Sequence, residues 1–183
     1  MLFTRKGDDG KTTIFGCDQR LSKSSDIAEA LGTLDEANSF LGICKAKMRE
    51  SKTKILNLKI EEILHAIQEN LFIIQAQVAG GDKRIDKEKI SEMESLIGGI
   101  ESELPPIKSF MISGSTEISA LFDFARTLCR RAERRVVAVS EENLAKIDEE
   151  TLAYLNRLSS LIYALARYFS KEAGIKEESP EYK

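Results

Sequence analysis

The chain of 183 residues is 42% apolar and 31% charged and carries a net charge of −3, the profile of one soluble globular domain with a sizeable core. That balance supplies no overall basic field to recruit nucleic acid or an anionic membrane. Arg5, Lys6, Asp8 and Asp9 come too early for a secretory signal, and the most apolar tract, LSSLIYALARYF, is too short to span a bilayer and holds Arg167.

Cys17, Cys44 and Cys129 are odd in number and far apart, which fits reduced thiols in a cytoplasmic protein and argues against a zinc knuckle. His65 is the only histidine and follows Glu61 and Glu62 on the polar side of its helix, so it reads as a solvated residue. Histidine-centred catalysis and His-rich metal sites therefore fall away.

Near the start, TRKGDDGKTTIFG (residues 4–16) contains Gly10-Lys11-Thr12, the tail of a phosphate-binding P-loop. A Walker pattern needs four residues between its first glycine and the Gly-Lys-Thr, with an apolar strand before it. Here Gly7 lies two residues away, Arg5 stands where that glycine belongs, and no such strand precedes it. Two readings remain. One is a glycine-tied turn with Asp8 and Asp9 bonding nearby backbone. The other is a phosphate loop of another design, since Thr4, Arg5, Lys6, Lys11, Thr12 and Thr13 are all donors. A short strand over TTIF is the one strand expected.

Helical periodicity then takes over. A first helix is predicted from Asp26 to about Glu50, with Ile27, Leu31, Leu34, Asn38, Leu41 and Met48 in register. A second runs from Lys54 to Ala79 and ends at Gly80-Gly81. A weaker third covers Lys87 to Glu103, interrupted by Gly98-Gly99. Pro105-Pro106 stops it and begins an extended connection, IKSFMISGS. Ser115 is the predicted N-cap of a fourth helix reaching about Val139, and a fifth runs from about Glu149 to Ala173 with Gly174 as its stop. Five helices with short links define an all-α bundle in a single domain over 1–183. Within it, residues 1–25 form a loop region, 26–174 the bundle, and 175–183 a polar, loose tail.

The fourth helix carries FARTLCRRAERRVVAV (residues 124–139). At roughly 100° per residue, Phe124, Leu128, Ala132 and Val139 share one face, while Arg126, Arg130, Glu133 and Arg134 lie opposite. Arg131 and Arg135 fall closer to the apolar face, as structural groups or contacts to neighbouring helices. Either the arginines are a solvated face paired with acids, or they hold a ligand. Arginine's fixed fork of donors suits phosphate oxygens better than the point charge of lysine, which dominates the other exposed faces. On the fifth helix Asn156 sits beside the core stripe and needs a partner, within the bundle or on a ligand. Asp35 borders Leu31 and Leu34, and Arg126 is one candidate counter-charge.

Together these pieces resemble the PduO-type ATP:cob(I)alamin adenosyltransferases. The loop Thr4–Thr12, GTLDEANS at 32–39, RTLCRRAERR from Arg126 and YLNRLS at 154–159 follow the family pattern in order along nearly the whole chain. The resemblance implies a ferritin-like five-helix bundle forming a homotrimer, with active sites between adjacent subunits. It implies transfer of the 5′-deoxyadenosyl group of ATP to the cobalt of cob(I)alamin, with release of triphosphate. The opening loop would fold around that triphosphate when ATP arrives. ATP contacts carry over to Thr4, Arg5, Lys6, Gly7, Thr12, Thr13 and Lys23, and to Arg130, Arg131, Ala132, Glu133, Arg134 and Asn156. A magnesium ion would bridge the phosphates, with no protein ligand assigned. Cob(I)alamin is itself a strong nucleophile, so the protein needs only to place the 5′ carbon and stabilise the leaving triphosphate. Arg130 and Arg134, with Lys6 and Lys23, take the second task. Phe110 occupies the place of the aromatic that covers the lower face of the corrin and removes its axial ligand, a tuning role. Asp35 and Arg126 would pair across the subunit boundary.

A flavoprotein reductase and an adenosylcobalamin-dependent enzyme are the implied protein partners. Four features depart from the family pattern. FMISGS replaces Phe-x-Leu-Pro-Gly-Gly, Asp123 stands where histidine is common, Lys6, Asp9 and Lys11 vary within the loop, and Ser24-Ser25 replaces an acidic pair. Two rival readings share the same sequence: a non-catalytic corrinoid or nucleotide carrier, and a helical oligomer that binds a polyanion such as RNA.

Overall fold

The computed structural model describes residues 3–14 and 20–182. Cys17, and Phe15 of the expected strand, lie outside the described residues. A small hairpin comes first, β1 (Lys11–Thr13) antiparallel to β2 (Arg20–Ser22), with Thr12 opposite Leu21. Helices α1 (Asp26–Met48), α2 (Ile60–Val78), α3 (Lys87–Glu101), α4 (Glu117–Glu141) and α5 (Glu149–Glu172) make the body. A second hairpin, β3 (Lys54–Ile55) and β4 (Leu58–Lys59), leads into α2. α4 lies between α1 and α5, α2 packs on α1, and α3 packs on α5.

The core is the sum of the apolar stripes: Leu34, Leu41, Leu64, Leu71, Ile74, Phe122, Val136, Leu155, Leu158 and Ile162 are all essentially closed to solvent. Each fully buried side chain of this size contributes about 1.5–3 kcal/mol relative to exposure. Side chains cap the helix starts. Ser25 Oγ accepts from the Ala28 amide at 3.4 Å and Asp86 from the Lys89 amide at 2.9 Å. Thr116 and Ser119 form a reciprocal capping box on α4. Thr116 is therefore the N-cap in place of Ser115, whose hydroxyl instead bonds Ser119 and reaches Ser170 on α5.

Three other expectations are corrected. The stretch Lys54–Lys59 is a hairpin and not the first turns of α2. Leu56 and Asn57 both take positive φ (48° and 70°), which matches a primed two-residue turn and cannot continue a helix. Leu56 lands on α3 at Gly99, where an added Cβ would come within 3.0 Å of its Cδ2. The glycine that weakens α3 in sequence is thus the seat for the hairpin tip. Phe124 is not in the core: it is 53% exposed and meets Phe40 of α1 edge-on at 4.9 Å, while Phe122, Ala125, Cys129, Ala132, Val136 and Val139 form the buried stripe. Finally, the tail is tied to the rest of the chain as far as residue 179. Gly174, at φ 68°, ends α5 in a Schellman turn, with the Ile175 amide donating to Ser170 and the Gly174 amide to Lys171. The chain then doubles back along the connection between α3 and α4.

Candidate active site

The arginines of α4 divide by partner. Arg131 pairs with Glu36, and Arg135 reaches Glu29 at 3.5 Å, so both tie α4 to α1. Arg130 and Arg134 make no ion pair among the described residues; Arg134 only donates back to the Arg130 carbonyl at 3.0 Å. The acid one turn along that could neutralise them, Glu133, instead accepts from Asn156 Nδ2 of α5 at 3.1 Å. The Asn156 oxygen in turn accepts from Arg157 at 3.2 Å. Two exposed guanidinium groups one helical turn apart thus keep most of their donors free, among the described residues, beside an amide and a carboxylate. That is the chemistry of a polyanion site and not of a face neutralised by its own acids.

Arg130 also lines a cleft of about 710 Å³ between α4, α5 and the connection before α4. Phe110, 80% exposed, Ile107 and Met111 form one wall; Ser159, Ser160 and Tyr163 of α5 form the other. Arg126 and Asp123 of α4 also line it. Burial pushes the Asp123 carboxyl above its ordinary value, opposed by the charge of Arg126 and hydrogen bonding from Ser113 and the Gly114 amide. Asp123 and Arg126 approach to 3.8 Å, too far for a hydrogen bond, and the Arg126 guanidinium lies over the Tyr163 ring at 5.7 Å. The buried Arg126 Nε has no hydrogen-bond acceptor among the described residues. Within one chain, therefore, Arg126 meets Asp123 and not Asp35, which is exposed on α1 and unpaired among the described residues.

The donor-rich loop is built around Arg20. Its guanidinium grips both oxygens of Asp9 at 3.0 and 2.8 Å and bonds the Lys6 carbonyl, while the Lys11 amide donates to Asp9 at 3.1 Å. Those bonds, the Lys11 amide foremost and then Arg20, hold the Asp9 carboxyl below its ordinary value. Lys23 Nζ donates to the Gly7 carbonyl at 2.8 Å. Gly10, at φ 76°, makes the turn into β1, and Arg5 also takes positive φ (60°). Thr12 and Thr13 border a second cleft of about 510 Å³ against α1 and the end of α2.

The structure thus gathers the expected residues into two groups. Thr4, Arg5, Lys6, Gly7, Thr12, Thr13 and Lys23 share the loop. Arg130, Glu133, Arg134 and Asn156 share the α4–α5 face, with Phe110 in the adjoining cleft. Among the described residues no hydrogen bond or ion pair joins the loop to α4 or α5. Two of the expected ligand positions have contacts of their own: the Ala132 methyl is buried in the core, and Arg131 is paired with Glu36. Arg20 and Tyr163 were not anticipated. The role of Arg20 arises only when β2 pairs across the loop, whereas Tyr163, seven residues after Asn156, could have been placed on the same helix face.

Cys44 and Cys129, both buried, have thiols pushed up to about 11 and about 12 by desolvation and belong to the core. Among the described residues no group of His, Cys, Asp and Glu could hold a metal ion, and no helix is long and apolar enough to cross a membrane.

Fold and site together define a helical-bundle protein that sets unpaired arginines beside a large, partly apolar cleft, with a separate donor-rich loop. Comparison with known proteins gives that class its family. The sequence pattern described as Cobalamin adenosyltransferase matches residues 2–169, and the chain belongs to that family. It is 36% identical over 192 residues to corrinoid adenosyltransferase PduO of Salmonella typhimurium, covering 99% of this chain and 54% of that protein. This chain therefore spans about half the length of that relative. It is 35% identical to a corrinoid adenosyltransferase of Citrobacter freundii, covering 98% of this chain and 97% of that protein. A variant PduO-type ATP:corrinoid adenosyltransferase from Lactobacillus reuteri, solved in complex with cobalamin and ATP, superposes with a TM-score of 0.86 at 27% identity. That match covers 100% of this chain and 97% of the other.

Proposed function

We propose that this chain transfers the 5′-deoxyadenosyl group of ATP to the cobalt of cob(I)alamin, giving adenosylcobalamin and triphosphate. The observation that carries the reading is the junction of Arg130 with the Phe110 cleft: an unpaired guanidinium at the edge of a space of about 710 Å³ with an aromatic wall. A polyphosphate and a large flat macrocycle can meet there. The likeness to a structure holding both ATP and cobalamin supports it.

The chemistry asks little of side-chain acids or bases. The C5′–O bond of ATP breaks as the cobalt–carbon bond forms, with both electrons of the new bond coming from cobalt and those of the old one leaving with triphosphate. Arg130 and Arg134 stabilise the charge that develops on the leaving oxygens, and Asn156 with Glu133 positions the nucleotide. Thr4, Arg5, Lys6, Gly7, Thr12, Thr13 and Lys23 supply the remaining phosphate donors. Phe110 excludes water and the axial ligand from the lower face of the corrin. A magnesium ion would bridge the phosphates of the bound nucleotide, with no protein ligand assigned.

A homotrimer completes this account. Among the described residues no hydrogen bond or ion pair joins the loop to the arginine face, and assembly from two subunits would bring the two groups into one site. The unpaired Asp35 and the orphaned Nε of Arg126 then become partners across the boundary. A cytoplasmic location, a flavoprotein reductase that delivers cob(I)alamin and an adenosylcobalamin-dependent acceptor enzyme complete the setting. Anaerobic incubation with MgATP and chemically reduced cobalamin, followed by absorbance, tests the reading. Formation of the adenosyl product supports it; tight ATP binding without product would favour a carrier instead.

A further inference from the structure

The C-terminal tail is fastened to the wall of the Phe110 cleft by an unusually protected ion pair. Arg167 of α5 is a buried arginine, its side chain only 5% exposed, and Glu177 is 18% exposed. The pair is bidentate: Arg167 Nε and one terminal nitrogen each donate to a Glu177 oxygen at 2.8 Å, and that terminal nitrogen also donates to the Pro105 carbonyl at 2.9 Å. One guanidinium thus joins α5, the tail and the start of the α3–α4 connection. Beyond it the Ile112 amide donates to the Glu178 carbonyl at 2.8 Å. Ser109 and Ser179 hydroxyls lie 2.6 Å apart, and Ser179 reaches the Met111 sulfur at 3.8 Å. Residues 109, 111 and 112 therefore flank Phe110 on both sides and are all held by the tail. Phe110 itself is 80% exposed and has no aromatic or cation–π partner among the described residues.

Buried ion pairs add little net stability, but removing one partner leaves the other charge stranded, so losing Glu177 would penalise the arrangement that encloses Arg167. That arrangement includes a segment lacking regular secondary structure. In this chain the segment reads FMISGS, without the proline that would restrict its backbone. We propose that Arg167 and Glu177 are positioning residues, and that residues 177–179 form a strap that sets the place of Phe110 on the corrin side of the cleft. The assignment of that side to the corrin rests on the proposed function; the strap's control of the Phe110 segment does not.

Two measurements separate those layers. The chain contains no tryptophan, so Phe110→Trp gives a unique fluorophore in the segment. Its anisotropy and acrylamide quenching are compared in the otherwise native chain, in Glu177→Ala, in Glu177→Gln and in a chain ending at Ile175. The strap predicts lower anisotropy and faster quenching in Glu177→Ala and the truncation, with Glu177→Gln between them and the native chain. Unchanged fluorescence in the truncated chain overturns the proposal, whatever the enzyme's activity. With Phe110 restored and cob(I)alamin pre-reduced, the same tail variants should raise the KM for corrinoid about tenfold and leave the KM for ATP within about twofold. Equal rises in both KM values would mean a general loss of structure and would also overturn the positioning role. A native chain with no adenosyl transfer at all would refute the proposed function while leaving the fluorescence result to decide the strap.

Discussion

Arg130→Ala and Arg131→Ala are adjacent substitutions of one residue type on one helix, and the structure assigns them opposite consequences. Arg130 is exposed and makes no ion pair or side-chain hydrogen bond among the described residues, so its loss should change folding stability by no more than about 0.5 kcal/mol. Hydrogen bonds from a charged donor contribute about 1.5–3 kcal/mol each. Losing one such bond to the triphosphate corresponds to a fall in kcat/KM of roughly 10- to 150-fold. Arg130→Lys keeps the charge without the fork and should fall between. Arg131, by contrast, is paired with Glu36 and both are about half exposed. Its removal should cost at most about 1 kcal/mol of stability and leave ATP binding intact. Calorimetric ATP titration, thermal melts and anaerobic turnover on the three variants check this. Equal loss of ATP affinity in Arg130→Ala and Arg131→Ala, with assembly unchanged, would refute the partition of the arginines by partner.

Phe110→Ala should weaken corrinoid use more than ATP use, and lose more activity with cob(II)alamin plus a reductant than with pre-reduced cob(I)alamin; equal losses in the two assays would remove its role in displacing the axial ligand. For the proposed boundary pair, Asp35→Asn and Arg126→Ala should each weaken the trimer or turnover, with a cost of about 3–5 kcal/mol if the pair is buried, and the exchange Asp35→Arg with Arg126→Asp should recover part of it, as sedimentation and turnover would show. The Asp123 carboxyl is raised above 3.8 by burial, so between its unfolded and folded values the native state holds more protons than the unfolded state and stability falls as pH rises through that window. Asp123→Asn should flatten that fall in denaturant titrations run from about pH 4 upward.

The helices were legible because their apolar spacing, their caps and the stop at Gly174 agree, and α1, α3 and α5 begin where the sequence says. The β3–β4 hairpin was not, since Leu56 lies four residues before Ile60 and extends the helical stripe of α2 as readily as it tips a turn. Only the tertiary contact of Leu56 with Gly99 decides it. Spacing alone puts Phe124 with Leu128 and Ala132, but α4 carries apolar residues on two sides and only packing chooses which side is buried. The proximity of Glu133 and Asn156 was foreshadowed by two separate motifs, but the bond between them is a product of the α4–α5 crossing. The tail looked loose because its ties run to serines, a backbone amide and one buried arginine, none of which leaves a periodic trace.

The most direct test of the central claim is a quantitative anaerobic reaction of the purified chain with MgATP and cob(I)alamin, measuring corrinoid product and phosphate product together. The account predicts one adenosylcobalamin formed per triphosphate released, with no accumulation of ADP and no requirement for a side-chain nucleophile. ADP or pyrophosphate released without a cobalt–carbon bond, or no product at all from a chain that binds both substrates, would contradict it.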